Sequence, residues 1–414
     1  MPKSVVVAIA GMLLCTAFLS SLHAQTAPLT LAEALSAAQL RAPALAAADA
    51  ALRAADANVD AAALRPNPTL SYRAENVLGS GQYTGFRTSE QTLEVAVPIE
   101  LGGKRDARRR VAEAERGATR LGVNTARAGL TQHVTLAFIA VAAAEQRLIV
   151  TRSGHDLAGQ AARVAHERVA VGKASPIEEE RARVLLVNAG VRLGKAERAL
   201  TLALADLGRY TGAPAPGAIA APWFASLAAA RGQKDPGTLP AAAVAEAQLA
   251  AAGARVDAAR RDRMPDLTLT AGSRRFGDSP DRAAVLGISM PLPLFNRGSQ
   301  LLARSQAEYE RVQAERDGVL QDAGQALAHA EADVTDALEA AVAARGPALA
   351  AAEEAARIAR LGYAAGKFPQ LELIDAERAL AETREAAVDA SAAFHIAQAR
   401  LAFLRGSSAP AYQD

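Results

Sequence analysis

Cysteine is all but absent from this chain. The single one, Cys15, lies in the N-terminal run "VVVAIAGMLLCTAFL", with Lys3 ahead of it and "LHA" before Gln25. A positive start, an apolar centre and a small-residue cleavage site make residues 1–24 a secretory signal peptide. "MLLC" has Leu14 where a lipoprotein signal wants Gly or Ala, and apolar residues continue past the cysteine. Cys15 therefore reads as filler within the signal, with lipidation as the alternative. Cleavage would leave a mature chain with neither disulfides nor thiolate metal sites.

Charge of one sign is also lacking. Lys and Arg number 46 against 44 Asp and Glu, a formal net charge of +2, which argues against a nucleic-acid partner. Beyond the signal no uninterrupted apolar run approaches the roughly 20 residues of a spanning helix, which argues against an inner-membrane protein. The remaining histidines, His133, His155, His166, His329 and His395, are scattered, and no two stand four apart. Met264 and Met290 are the methionines left after cleavage, so no methionine relay for copper or silver is evident. "GSGQYTG", Gly79 to Gly85, superficially resembles a dinucleotide fingerprint, but it joins two strands and opens no helix. No nucleophile, base or metal cluster stands out, so neither an enzyme nor a bound cofactor is expected.

What the chain does have is a duplication. "VDAA" at Val59–Ala62 returns at Val256–Ala259, and Pro68 of "NPTLSY" falls on Pro265 of "MPDLTL" with the same shift of 197. Pro98 in "VPIELGGKR" matches Pro291 in "MPLPLFNRG" with a shift of 193, and Gly172-Lys173 matches Gly366-Lys367 with a shift of 194. Anchors spread over about 195 residues mean a duplicated unit too long for a solenoid. The organisation expected is a first repeat over 25–212, a Pro/Gly-rich linker over 213–238, a second repeat over 239–406 and a tail over 407–414.

Each repeat reads helix, strand, strand, long helix, helix. Leu29–Leu64 is helical with a break at Pro43. Strands follow near Asn67–Val77 and Gln91–Val97, then in "PDLTLTAGSRRF" and "RAAVLGISM". Leu93, Val95 and Val97 share one face, and Leu286, Ile288 and Met290 do likewise. Gly103 to Val171 and Gly298 to Gly346 contain no proline. A helix of about 68 residues would reach about 100 Å, too long for one globular core. Leu130, Val134, Ala137, Val141, Ala144 and Leu148 step by four and three, as do Leu320, Ala323, Leu327, Ala330, Val334, Ala337, Ala341 and Ala344. That is coiled-coil spacing with small residues.

Four strands in two hairpins cannot hide their own edges. Each has the length and one-sided apolar pattern of an outer-membrane barrel strand, and in lipid only a closed barrel satisfies every backbone group. Barrels need about eight strands or more, so several copies must share one; three would give twelve. Pro98 and Pro291 end strands, where a missing N–H costs little. Pro293, Gly102 and Gly103 belong to the corners that turn the chain into the long helices.

At these residues the sequence resembles the TolC family of outer-membrane efflux proteins over essentially the whole mature chain. "LGGKR" and "PLPLFNRG" are similar to the CzcC-like branch, which serves cation efflux driven by an RND pump. The resemblance implies a mainly α protein with a small transmembrane β part: a homotrimer with a twelve-stranded barrel, four strands per chain, above a helical periplasmic tunnel. It implies the outer membrane of a Gram-negative bacterium, with outer-membrane lipid, a periplasmic adaptor and an RND pump as partners. By the same resemblance Gly172, Lys173, Gly366 and Lys367 sit at hairpin tips that meet the adaptor. Glu372 and Asp375 match acidic residues lining the closed end, and Glu178 and Tyr363 match a pair tying neighbouring hairpins together. Phe368 stands where some members have an arginine, so one tether is absent. A ring of three carboxylates would favour cations. The reading is a passive duct, for divalent heavy metals; export of drugs is the alternative within the class, and a periplasmic coiled-coil adaptor is the rival outside it.

Overall fold

The computed structural model describes residues 28–212, 217–227 and 239–407. The expected signal peptide with Cys15, most of the linker and nearly all of the tail lie outside the described residues. The chain runs α1 (Leu31–Arg41), α2 (Pro43–Ala62), β1 (Thr69–Glu75), β2 (Glu90–Ile99), α3 (Lys104–Ala170) and α4 (Pro176–Thr211). After a short 3-10 turn at Pro222–Ala225 come α5 (Pro240–Arg261), β3 (Leu267–Phe276), β4 (Arg282–Ser289), α6 (Ser299–Ala343), α7 (Leu349–Ala364) and α8 (Gln370–Leu404).

Local chemistry sets the helix ends. Thr30 and Glu33 cap α1 reciprocally: Glu33 Oε2 accepts the Thr30 N–H at 2.9 Å and Thr30 Oγ1 accepts the Glu33 N–H at 3.3 Å. Pro43 breaks the first helical stretch and opens α2, where its missing N–H is harmless. α3 is one helix of 67 residues, as its lack of proline predicts.

The corresponding helix in the second half runs through a proline. Pro347 does not end it. Ala344–Ala348 form a π turn, and the helix continues as α7 to Ala364. The wider turn accommodates a ring that lacks an N–H and would press on the carbonyl of Ala343 in an α-helix. The predicted seam of α6 also needs one change. Ala330 and Ala341 are buried, but Leu320 is exposed and Val312 is buried in its stead. A straight helix drifts by about 20° per heptad from a 3.5-residue repeat, so a seam extrapolated too far leaves the contact face. α3 does carry one 18-residue window apolar enough, by length and composition, to cross a membrane, and half of it is buried. The alanines and valines that raise its hydropathy include residues that pack inside the protein.

The described residues form two compact units. One combines α1, α3 from Ala137 onward, α4 and the segment to Ser226. Its centre stacks Phe138 on Trp223, ring centroids 6.2 Å apart, and Leu29 bridges Ile219 in parallel. The other holds α2, the strands, the first part of α3 and α5 to α8. There Leu249, Ala252 and Val312 form a cluster flanked by Tyr309.

The strands make a single antiparallel sheet in the order β1-β2-β3-β4. The two hairpins are joined by a full β2–β3 ladder, from Glu90 opposite Phe276 to Ile99 opposite Leu267. β1 and β4 are the edges.

Candidate functional site

The sheet is two-faced, and alternation dictates which residue goes where. Leu70, Val95, Ala271 and Leu286 lie side by side in register, as do Tyr72 and Leu93, and Val97, Leu269 and Ile288. Leu70, Tyr72, Leu93, Val95, Val97, Leu269, Leu286 and Ile288 are all exposed. A contiguous apolar face of this kind is not left to water. The opposite face is polar and crowded. Arg274 donates to Thr92 Oγ1 at 3.0 Å and to Glu90 Oε2 at 2.7 Å, with Glu75 at 3.7 Å. Gly272 sits on this side; a Cβ there would come within 2.5 Å of the Leu93 carbonyl. The polar face is the tight one and the apolar face the open one.

The predicted corners are built as small ion-paired joints. Pro98 lies inside β2 opposite Thr268, one residue from the strand end and beyond the reach of β1, which begins opposite Ala96. Gly102 and Gly103 both take positive φ, 73° and 70°. Arg261 donates to the Gly102 carbonyl at 3.0 Å. Lys104 Nζ bonds Asp266 Oδ1 at 2.8 Å, and the same oxygen accepts the Leu101 N–H at 3.3 Å. Arg108 pairs with Glu100, which pushes the guanidinium pKa up. Lys104 and Arg108 are thus spent on the joint itself. Pro291 and Pro293 follow β4 outside the ladder, leading to Gly298 at φ 70°.

The two hairpin turns repeat one design. Gly172 and Gly366 have φ of 71° each; the Lys173 N–H returns to Arg168 O and the Lys367 N–H to Gly362 O, both at 2.8 Å. These are glycine C-caps of the left-handed kind. Glu178 and Glu372 occupy the same third position of α4 and α8, where the positive helix end favours a carboxylate. Glu178 is half-buried, while Glu372 and Asp375 are exposed. Tyr363 is buried, and its carbonyl accepts the Gly366 N–H at 3.0 Å. Glu178 and Tyr363 fall in different compact units.

Sequence reasoning missed the ties that hold each hairpin. Arg360 pairs with Glu377 across α7 and α8, and Arg384 with Glu353 at 3.0 Å. At the position matching Arg360 in the first hairpin, His166 Nδ1 lies 2.9 Å from Glu179. The shift of 194 was the available signal for this correspondence. Phe368 packs directly onto Gly362. His395, read as one of several scattered histidines, is buried beside Phe394, ring centroids 5.3 Å apart. Among the described residues no group of three or more His, Cys, Asp or Glu could hold a metal ion.

The chain matches the family described as outer membrane efflux protein twice, over residues 34–213 and 239–407. It is 31% identical over 362 residues to the cobalt-zinc-cadmium resistance protein CzcC of Cupriavidus metallidurans, covering 86% of this chain and 85% of that one. Among solved structures, a membrane protein from Pseudomonas aeruginosa superposes with a TM-score of 0.77 at 21% identity, covering 91% of this chain and 90% of the other. The outer membrane protein VceC from Vibrio cholerae gives 0.75 at 21%, covering 91% and 96%.

Proposed function

The chain belongs to the outer membrane efflux protein family, and on that footing we propose that it is the outer-membrane duct of a tripartite efflux system for divalent heavy-metal cations. One observation carries the reading: a four-stranded sheet with a continuous exposed apolar face, a polar opposite face and two unpaired edges. A lipid environment favours the first, an aqueous pore the second, and neighbouring copies the third. Three copies close twelve strands, an even number with cyclic symmetry. In this reading the duplicated halves, 25–212 and 239–406, are joined by the linker 213–238 and supply two strands each.

The long helices extend into the periplasm, and the turns at Gly172-Lys173 and Gly366-Lys367 meet the adaptor. Glu372 and Asp375 line the periplasmic aperture, with Glu178 and Tyr363 tying hairpins together. Glu372 and Asp375 stand exposed near the N-terminus of α8, the placement such an aperture needs. The duct is passive and binds no cofactor; transport energy comes from an inner-membrane RND pump. The divalent-cation assignment draws on the resemblance to the cobalt-zinc-cadmium resistance protein.

Deletion of the gene tests this reading. Growth inhibition would be compared across zinc, cobalt, cadmium, nickel, copper and silver, with hydrophobic antibiotics alongside. Hypersensitivity confined to divalent cations is the expected result. Sensitivity to the antibiotics alone would remove the metal assignment and leave the duct.

A further inference from the structure

Two arginines end the apolar face of the sheet. Arg275 of β3 follows Leu269, Ala271 and Ser273 on that face, and Arg282 of β4 precedes Ala284, Leu286 and Ile288 on the same face. They stand directly opposite one another in the ladder. Both are exposed, and among the described residues neither makes an ion pair. Like charges directly across an antiparallel pair repel and destabilise the sheet unless something lies between them.

Carboxylates are close in the sheet, yet they serve the other side. Glu90 and Glu75 both engage Arg274, the neighbour of Arg275 in sequence but on the opposite face. Asp278 and Asp281, in the turn joining β3 and β4, ion-pair with neither arginine. The uncompensated pair also has a definite level. It lies at the turn end of the hairpin, away from the helices, about 20 Å along β4 from Ile288 at roughly 3.3 Å per residue. Beyond Ile288 the exposed Leu292, Leu294 and Phe295 follow in the segment that leads from β4 to α6. The arginines therefore cap the band at its outer rim.

We infer that Arg275 and Arg282 form a binding site on the lipid-facing side of each protomer for the phosphate of a lipid headgroup in the outer leaflet. Two guanidinium groups on adjacent strands can share one phosphate through charge-assisted hydrogen bonds, which turns their repulsion into a clamp. The inference rests on the barrel reading above, since only a membrane-embedded sheet presents this rim to lipid.

The test uses full-length protein in phosphatidylethanolamine vesicles containing either bis-phosphorylated lipid A or lipid A stripped of both phosphates. Lipid A retained per protomer after gentle extraction is counted by native mass spectrometry. Wild type should retain the phosphorylated form about tenfold better than the R275Q/R282Q double variant, and R275K/R282K should recover part of the difference because charge without the planar fork remains. Equal retention by wild type and R275Q/R282Q, or equal retention of the two lipids, would overturn the site. Displacement of lipid A by millimolar inorganic phosphate would assign the site to free phosphate and reject the lipid. Heat-modifiable migration on gels is scored in every sample. Its absence in wild type would reject the barrel, whereas its presence with unselective lipid retention rejects the clamp alone.

Discussion

The ring of Phe368 rests on the backbone of Gly362, so close that a Cβ at residue 362 would stand 2.1 Å from a ring carbon. The Gly362 carbonyl meanwhile accepts the N–H groups of Lys367 and Phe368 at 2.8 and 3.3 Å. Gly362 thus anchors the turn between α7 and α8, beside the left-handed Gly366. G362A should expel the ring and loosen this hairpin tip, at about 1–3 kcal/mol of local strain. Single-channel recordings would show more frequent or larger openings than wild type; an unchanged conductance histogram would mean that the turn does not govern the aperture.

Glu372 and Asp375 are exposed on the first turns of α8. In the proposed aperture, replacing both with alanine should weaken cation selectivity and block by trivalent cations in planar bilayers, since acidic rings favour cations. Selectivity and block equal to wild type would remove these two residues from the aperture.

Lys104 is buried and its partner Asp266 also accepts the Leu101 N–H. D266A strands a buried ammonium and a backbone donor together, which costs about 1–3 kcal/mol. The expected outcome is a lower temperature for the heat-induced gel shift, with D266N falling between variant and wild type. A shift temperature unaltered by D266A would show that the joint is held by other contacts.

Glu145 offers a pH test. Burial raises its pKa above the ordinary 4.5, while a hydrogen bond from the Ile219 backbone opposes that rise. The folded protein therefore holds this proton more tightly than the unfolded chain. Stability falls as pH climbs from about 4.5 through the raised value, and is flat above it. E145Q removes the penalty while keeping an acceptor for Ile219. It should stabilise the protein at pH 7 by well under about 1 kcal/mol, given partial solvent screening, and by nothing near pH 4. Chemical denaturation at both pH values measures this; a gain that is the same at both would place the effect in packing.

Much of the architecture is legible in the amino-acid sequence. The absence of proline across 103–171 set the length of α3, Pro43 marked the break before α2, and two-residue alternation named the apolar faces of β2 and β4. Repeated glycines at 172 and 366 marked the turns. These are local properties, carried by backbone sterics and periodicity within a few residues. The π turn at Pro347 was not legible, because a proline reads as a helix end unless packing on both sides keeps the helix going.

Pairings between distant residues belonged to the tertiary structure alone. Sequence showed two hairpins and no more; the β2–β3 ladder that fuses them joins segments some 170 residues apart, and no local pattern specifies which edges meet. The same holds for Lys104 with Asp266 and Arg360 with Glu377, which read as surface charges until the fold places them together. Arg274 and Arg275 are neighbours of the same type in one strand. Only the ladder decides that the first is satisfied by Glu90 and Glu75 while the second faces Arg282 across the apolar face, because alternation sends them to opposite faces and register chooses their partners.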